Sequence, residues 1–324
     1  VIKVATPNDI ITPIVKSAMR GKSIRANGKL LLTGEYVVMD GVSALALPVR
    51  YGQTLSYSSD FESVLISWKS IDSLGKVWFS AQFEKLSLEI VSASDWSIGA
   101  VLQRILLFVK AHNASFINEL GEVEIVADFP LNWGLGSSST LIYTLGKASN
   151  IDPYLLQYQF FGGSGYDIAC AESQFPLVFK KNSEQERSVV YVDFYPGEPR
   201  AWAFVYLGKK QNSRDAIKEY RNKVGDWKEV FNEITSITMD LALNVLEHSA
   251  VIDALNRHEQ LISKIIDIPT IQSTRFSDFK GVVKSLGAWG GDFVLAISQE
   301  SEIDPTYFHQ KKYEHVIPYQ AMIL

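Results

Sequence analysis

Several things are scarce in this chain or missing from it. A single cysteine, Cys170, occurs in 324 residues. No intramolecular disulfide can form, and a reducing compartment suits that usage. No apolar run approaches the roughly 20 residues that a helix needs to span a bilayer. Charge of one sign is not in excess, with 31 Lys and Arg against 36 Asp and Glu and a net charge of −5. Composition therefore gives no reason to expect nucleic acid or an anionic membrane as a partner. The N-terminal stretch lacks the charged start, apolar segment and small-residue cleavage site of a secretory signal, so a cytoplasmic location is the expectation. The five histidines, His112, His248, His258, His309 and His315, show no metal-ligand spacing. Internal repeats and low-complexity segments are absent as well.

The common nucleotide-binding signatures are also missing. No Gly-x4-Gly-Lys-Ser/Thr occurs, and Ser139 stands where a dinucleotide fingerprint would place its third glycine. The Asp-Phe-Gly and His-Arg-Asp elements of protein kinases are not found.

What is present is ordinary globular composition, 47% hydrophobic and 21% charged, with length for one large core or two modest domains. Val1 to Arg20 reads unlike the rest and is expected to be an N-terminal extension (residues 1–21). Tyr36 to Val38 and Ala44 to Val49 read as short strands around a Met39-Asp40-Gly41 turn. Gln53 to Ser58, Val64 to Trp68 and Val77 to Phe83 continue a β-rich stretch. Ser97 to His112 has helical spacing, with Ile98, Val101, Leu102, Ile105 and Val109 on one face. Glu122 to Ala127 alternates as a half-buried strand does, and Thr140 to Ala148 reads as a helix. Leu177 to Lys180, Val189 to Phe194, Trp202 to Leu207 and Phe293 to Ser298 are strand candidates. Ser213 to Lys223, Trp227 to Glu247 and Val251 to Ile266 are helical by period. This order, β-rich and then helix-rich, argues for an α+β organisation, with a domain boundary near 195–200.

Four motifs stand out. Gly134-Leu135-Gly136-Ser137-Ser138-Ser139 lies between a strand and a helix. Its glycines let backbone approach a ligand, and the helix would begin within the serines, offering N–H groups and a positive dipole end to phosphates. One serine hydroxyl could ligate Mg²⁺; a plain serine-capped helix is the alternative. Gly162-Gly163-Ser164-Gly165-Tyr166-Asp167 sets one carboxylate after a glycine turn, either to accept or orient a substrate proton or simply to cap a helix. In Asn27-Gly28-Lys29-Leu30-Leu31-Leu32-Thr33-Gly34-Glu35-Tyr36, Lys29 interrupts an apolar strand. It could hold an anion or lower the pKa of a nearby Asp, or face solvent from an edge. Gly287-Ala288-Trp289-Gly290-Gly291-Asp292 is a close-approach turn for substrate or a tight helix-to-strand connection.

Together and in this order, over roughly residues 22–300, the four resemble the GHMP kinases, the family of galactokinase, homoserine kinase, mevalonate kinase and phosphomevalonate kinase. Asn27 to Val38 resembles Pro-Gly-Lys-Leu…Gly-Glu-His/Tyr, Gly134 to Ser139 the Gly-Leu-Gly-Ser-Ser-Ala loop, Ser164 to Asp167 the Ser-Gly-x-Asp element, and Gly287 to Asp292 the last glycine-rich motif. The resemblance implies a two-domain α+β fold, with a ribosomal-protein-S5-like N-terminal domain (22–197) and a ferredoxin-like C-terminal domain (198–324). It implies ATP over Gly134, Leu135, Gly136, Ser137, Ser138 and Ser139, Mg²⁺ at Ser138, Asp167 as the catalytic aspartate and Lys29 as its cationic partner. Substrate would be met by Lys29, Glu35, Tyr36, Ser164, Gly165, Asp167, Gly287, Gly290 and Gly291. Tyr36 and Asp292 look more like phosphomevalonate kinase than mevalonate kinase, so mevalonate or phosphomevalonate is the leading acceptor, with homoserine or a sugar as the alternative. No nucleic-acid or membrane partner is expected, and a homodimer is left open.

Three departures qualify the resemblance. Asn27 replaces proline, Trp289 replaces a glycine, and Leu156, with Gln157 and Gln159 nearby, stands where mevalonate kinase carries a glutamate Mg²⁺ ligand. Leu156 and Trp289 motivate a competing reading, a nucleotide-binding protein with little catalysis. Retention of Lys29 and Asp167 favours a kinase. His258, beside Asn256 and Glu259, is expected on a solvated helix face, and Cys170 is expected to be a small packing residue.

Overall fold

The computed structural model describes residues 21–209, 213–223 and 225–324. All but the last residue of the expected extension therefore lies outside the described residues. The chain divides into two compact units that are discontinuous in sequence. Among the described residues, the first comprises 21–28, 51–131 and 136–172, and the second 29–50, 132–135, 173–209, 213–223 and 225–324.

The first unit is built on a twisted sheet. Its strands are β1 (Lys22–Leu31), β2 (Ala44–Ser59), β3 (Leu65–Ile71), β4 (Val77–Glu84), β5 (Ile90–Ala93) and β6 (Leu120–Ala127), each of the first two contributing part of its length. They run in the order β5-β4-β3-β6-β2, with β1 paired to β2. β3 and β6 are parallel, and the other pairs with a known register in this unit are antiparallel. The alternation read in β6 is real, since Val123, Ile125 and Ala127 are buried and their neighbours less so. Helix α1 (Trp96–His112) starts at Asp95, whose carboxylate accepts the N–H groups of Ser97 and Ile98, an N-cap that satisfies two orphan donors. Its expected face points inward at Leu102, Ile105 and Val109. There it meets Trp68, Phe79 and Phe83 of the sheet in one core. Helices α2 (Ala114–Glu119), α3 (Ser137–Ser149), α4 (Pro153–Phe160) and α5 (Tyr166–Glu172) complete the unit. Cys170 is buried, as a packing residue should be.

The second unit has a four-stranded antiparallel sheet in the order β10-β11-β9-β12. Its members are β9 (Trp202–Tyr206), β10 (Gly281–Ser285), β11 (Phe293–Ser298) and β12 (Val316–Pro318), while β7 (Leu177–Lys181) and β8 (Arg187–Tyr191) follow the Ala44–Ala46 part of β2. Every residue of β9 and β11 is buried, which accounts for apolar runs without alternation. Helices α6 (Ser213–Arg221), α7 (Lys228–Leu243) and α8 (His248–Ile266) lie in this unit. Ile234 of α7 packs in one cluster with Leu261, Ile262 and Ile265 of α8 and with Tyr36, Val37 and Trp289.

One expected element differs. Tyr36 to Val38 is not a strand: Val37–Asp40 forms a 3-10 turn ending on Gly41. The apolar side chains there are buried for a tertiary reason, packing against α8, rather than as a sheet face. Likewise β2 is a single strand of 16 residues where two shorter ones were expected. Among the described residues, no helix is long and apolar enough to cross a membrane.

Phe83 is fully buried in the first unit's core. Phe83→Ala is expected to lower stability by about 3–5 kcal/mol, measured as a shift of the urea midpoint without change of slope.

Candidate active site

In the first unit the glycine-serine loop opens α3 as expected. Gly136 is the N-cap, at φ 95°, and brings no side chain, so no side-chain cap occupies the first-turn N–H groups. A helix of 13 residues thus begins on open donors and a positive dipole end, the arrangement that suits phosphate oxygens. Ser138 is exposed, Ser137 half-buried and Ser139 buried. Behind them the Thr140 hydroxyl donates to Gln53 Oε1 at 2.7 Å, tying the helix start to β2.

Asp167 lies in the first turn of α5 and is half-buried. The preceding turn is held by α4. Gln157 Nε2 donates to the Gly162 carbonyl at 2.9 Å, and the Tyr158 hydroxyl donates to the Ser164 carbonyl at 3.0 Å. Leu156 is fully buried in the core. The neighbouring polar side chain, Gln157, is therefore spent on the turn itself. Among the described residues, no group of three or more His, Cys, Asp or Glu could hold a metal ion. The donor set here suits a Mg²⁺ that arrives on phosphates and keeps its waters, with a hydroxyl such as Ser138 as a protein ligand, rather than a cage of carboxylates.

In the second unit, three of the sequence motifs converge. Lys29 is half-buried, and its Nζ donates to the Gly134 carbonyl at 3.0 Å. Its backbone N–H donates to the Leu135 carbonyl at 3.1 Å. The Asp292 carboxylate packs against Gly134 so closely that a Cβ there would sit 2.3 Å from it, and Gly134 has φ 70°. Only glycine meets both demands.

The Gly34-Glu35-Tyr36 segment is tied at each residue. Gly34 N–H donates to His258 Nε2 at 2.9 Å. Glu35 pairs with Lys284 Nζ. The Tyr36 hydroxyl accepts the Trp289 N–H at 2.9 Å. Lys284 Nζ also donates to the Ser285 carbonyl at 2.9 Å and lies 3.9 Å from Glu259. Glu259 in turn accepts the Ser285 N–H at 3.1 and 3.2 Å. Tyr36, Tyr220 and Trp289 form part of the wall of a cavity of about 320 Å³, with Asp215, Glu219 and Lys223. Tyr220 is itself held by a hydrogen bond to Asp40.

His258 corrects the expectation of a solvated face: it is fully buried, as are Glu259 and Lys284. The helical period carried the signal. Val251, Leu255, His258, Ile262 and Ile265 are all buried on α8, so His258 occupies an apolar-stripe position. Lys284, in a strand whose other residues from Val282 to Ser285 are buried, was not singled out. A lysine directly after Val282-Val283, in a buried strand, is the feature that marks it.

No family model matches the chain, and no curated protein matches it in sequence. Solved structures do match. A mevalonate kinase from Methanococcus jannaschii is 18% identical, with 92% of this chain and 97% of that one covered and a TM-score of 0.66. Streptococcus pneumoniae phosphomevalonate kinase, in complex with phosphomevalonate and AMPPNP, is 14% identical over 94% and 98% with a TM-score of 0.62. Lactococcus lactis galactokinase, complexed with galactose, is 13% identical over 92% and 90% with a TM-score of 0.63. The chain has the α+β fold of the GHMP kinases, as the motifs implied.

The electrostatics of the buried cluster follow from counting charges. One ammonium faces two carboxylates, so the cluster is neutral only when one carboxyl is protonated, and a low-dielectric interior favours that state. Burial pushes Glu35 up from 4.5 to about 7 against the opposing pull of Lys284, and pushes Glu259 up as well. His258 is held well below 6.5 by burial and then by the Lys284 charge. Its Nε2 accepts the Gly34 N–H, so the ring is neutral with its proton on Nδ1. The linkage has a definite sign. Between 4.5 and about 7 the folded state holds the Glu35 proton that the unfolded state releases, so this group's contribution falls as pH rises through that window. His258 acts oppositely, costing stability as pH drops below 6.5. Urea midpoints from about pH 5 to about pH 8 should therefore lose part of their alkaline-side decline in Glu35→Gln. An unchanged profile would contradict the assignment.

Proposed function

We propose that the protein is an ATP-dependent kinase that transfers the γ-phosphate to a small metabolite, with mevalonate or phosphomevalonate as the leading acceptor. The observation that carries this reading is the open start of α3, where Gly136 supplies no cap and Ser138 is exposed. A loop of that kind after a strand is suited to polyphosphate, and the fold is one that kinases use.

In this reading Gly134 to Ser139 cradle the nucleotide phosphates. Mg²⁺, held with the Ser138 hydroxyl, would offset negative charge on them. Asp167 orients the acceptor hydroxyl or takes its proton. Lys29 lends positive charge to the same chemistry. Gly287, Gly290 and Gly291 allow close backbone approach, and Tyr36 with Ser164 and Gly165 completes the acceptor contacts. Direct phosphoryl transfer asks the protein chiefly for positioning and charge stabilisation. The enzyme would act in the cytoplasm.

A second reading, nucleotide binding with little catalysis, draws support from Leu156. This side chain is wholly in the core and leaves no carboxylate where mevalonate kinase has one.

The test is a coupled ADP-release assay with Mg-ATP against mevalonate, phosphomevalonate, homoserine, galactose and related sugars. Acceptor-dependent turnover is expected with one of them, and Asp167→Asn should lower it by about 100-fold or more. ATP binding without turnover on any acceptor would favour the second reading.

A further inference from the structure

Tyr36 is strained. Its φ is 63° and ψ −54°, and the Val37 N–H reaches back to the Glu35 carbonyl at 2.7 Å. That is a γ-turn of the uncommon hand. A bulky residue persists in such a conformation only where its surroundings over-determine it.

The surroundings do so from three directions. From α8, His258 takes the Gly34 N–H. From β10, Lys284 takes the Glu35 carboxylate. From the turn before β11, the Trp289 N–H takes the Tyr36 hydroxyl. Glu259 holds Ser285 beside Lys284, so the ammonium is itself fixed. The first motif is thus tied to residues more than 200 positions away in sequence.

These ties are costly. Glu35, His258, Glu259 and Lys284 are each no more than 1% exposed, and a buried ion pair contributes little net stability over an apolar replacement. What the network does provide is geometry. It fixes the Tyr36 ring, 5.7 Å from that of Tyr220, on the wall of the cavity that Trp289 also lines.

We propose that Lys284, together with His258 and Glu259, is a clamp of positioning residues that holds Glu35 and the strained turn at Tyr36, and so positions Tyr36, on the wall of that cavity, as an acceptor contact. Glu35 then acts through the clamp and not by touching substrate. The word acceptor rests on the kinase reading; the clamp does not.

Two measurements on the full chain test it. The first is hydrogen exchange by mass spectrometry on wild type, Glu35→Gln and Tyr36→Phe. Glu35→Gln keeps the side-chain shape, whereas Lys284→Met would strand two buried carboxylates and lower folding yield. At about pH 8, where Glu35 is ionised, peptides covering 34–40 and 287–291 of Glu35→Gln are expected to exchange about tenfold faster, with the α3 peptide unchanged. Tyr36→Phe keeps the ring and removes the hydroxyl, and should reproduce the effect at 287–291. The second measurement is steady-state kinetics. Glu35→Gln is expected to raise the acceptor KM by up to about 100-fold while the KM for ATP stays constant, a split that general destabilisation would not produce. Unchanged exchange at 34–40, or equal rises in both KM values, overturns the clamp. Absence of turnover by wild type on every acceptor overturns the kinase reading instead, and exchange alone then decides the clamp.

Discussion

One ammonium group, Lys284 Nζ, sits in the interior of the second unit with no exposure to solvent. A charge in that position is costly unless carboxylates and carbonyls match it. The match comes from Glu35 and the Ser285 carbonyl, with Glu259 at 3.9 Å. Each of those partners belongs to a different stretch of chain, so satisfying one charge fixes the relative placement of the Gly34–Tyr36 segment, α8 and β10. His258 adds a neutral acceptor in the same place because burial, and then the nearby ammonium, disfavours its protonated form.

The glycine positions show a different constraint. At Gly134 the carboxylate of Asp292 takes the space that a side chain would need, and at Gly136 a left-handed backbone hands the chain into α3 without a cap. The first is a requirement for close packing and the second leaves donors open. Both serve a backbone surface rather than a side-chain surface, which is what a phosphate-binding loop needs. Lys29 reinforces the loop through its side chain to Gly134 and its backbone to Leu135.

Local signals in the sequence translated well where local physics governs. The face of α1 was legible from a 3.6-residue period, and that of β6 from simple alternation. The start of α3 was legible because serines, which favour helix N-termini, follow a glycine turn and precede a helical stretch. The Tyr36–Val38 segment was misread because apolar residues in a short run look alike in a strand or in a tight turn packed on a helix. His258 was misread for a related reason: a polar residue type suggested solvent, although its position on the α8 stripe placed it in the core.

The sequence by itself determined most element types, the anion-suited loop and the set of four motifs, because each depends on neighbours within a few residues. The α+β class also follows from the order of those elements. Only the tertiary structure decided that Glu35 meets Lys284, that Gly34 meets His258 and that Tyr36 meets Trp289. Such pairs lie more than 200 residues apart in the chain, and no local periodicity can select a partner at that separation. Selection comes from the cost of burying an unmatched charge or polar group, a penalty that exists only once the core has closed around it.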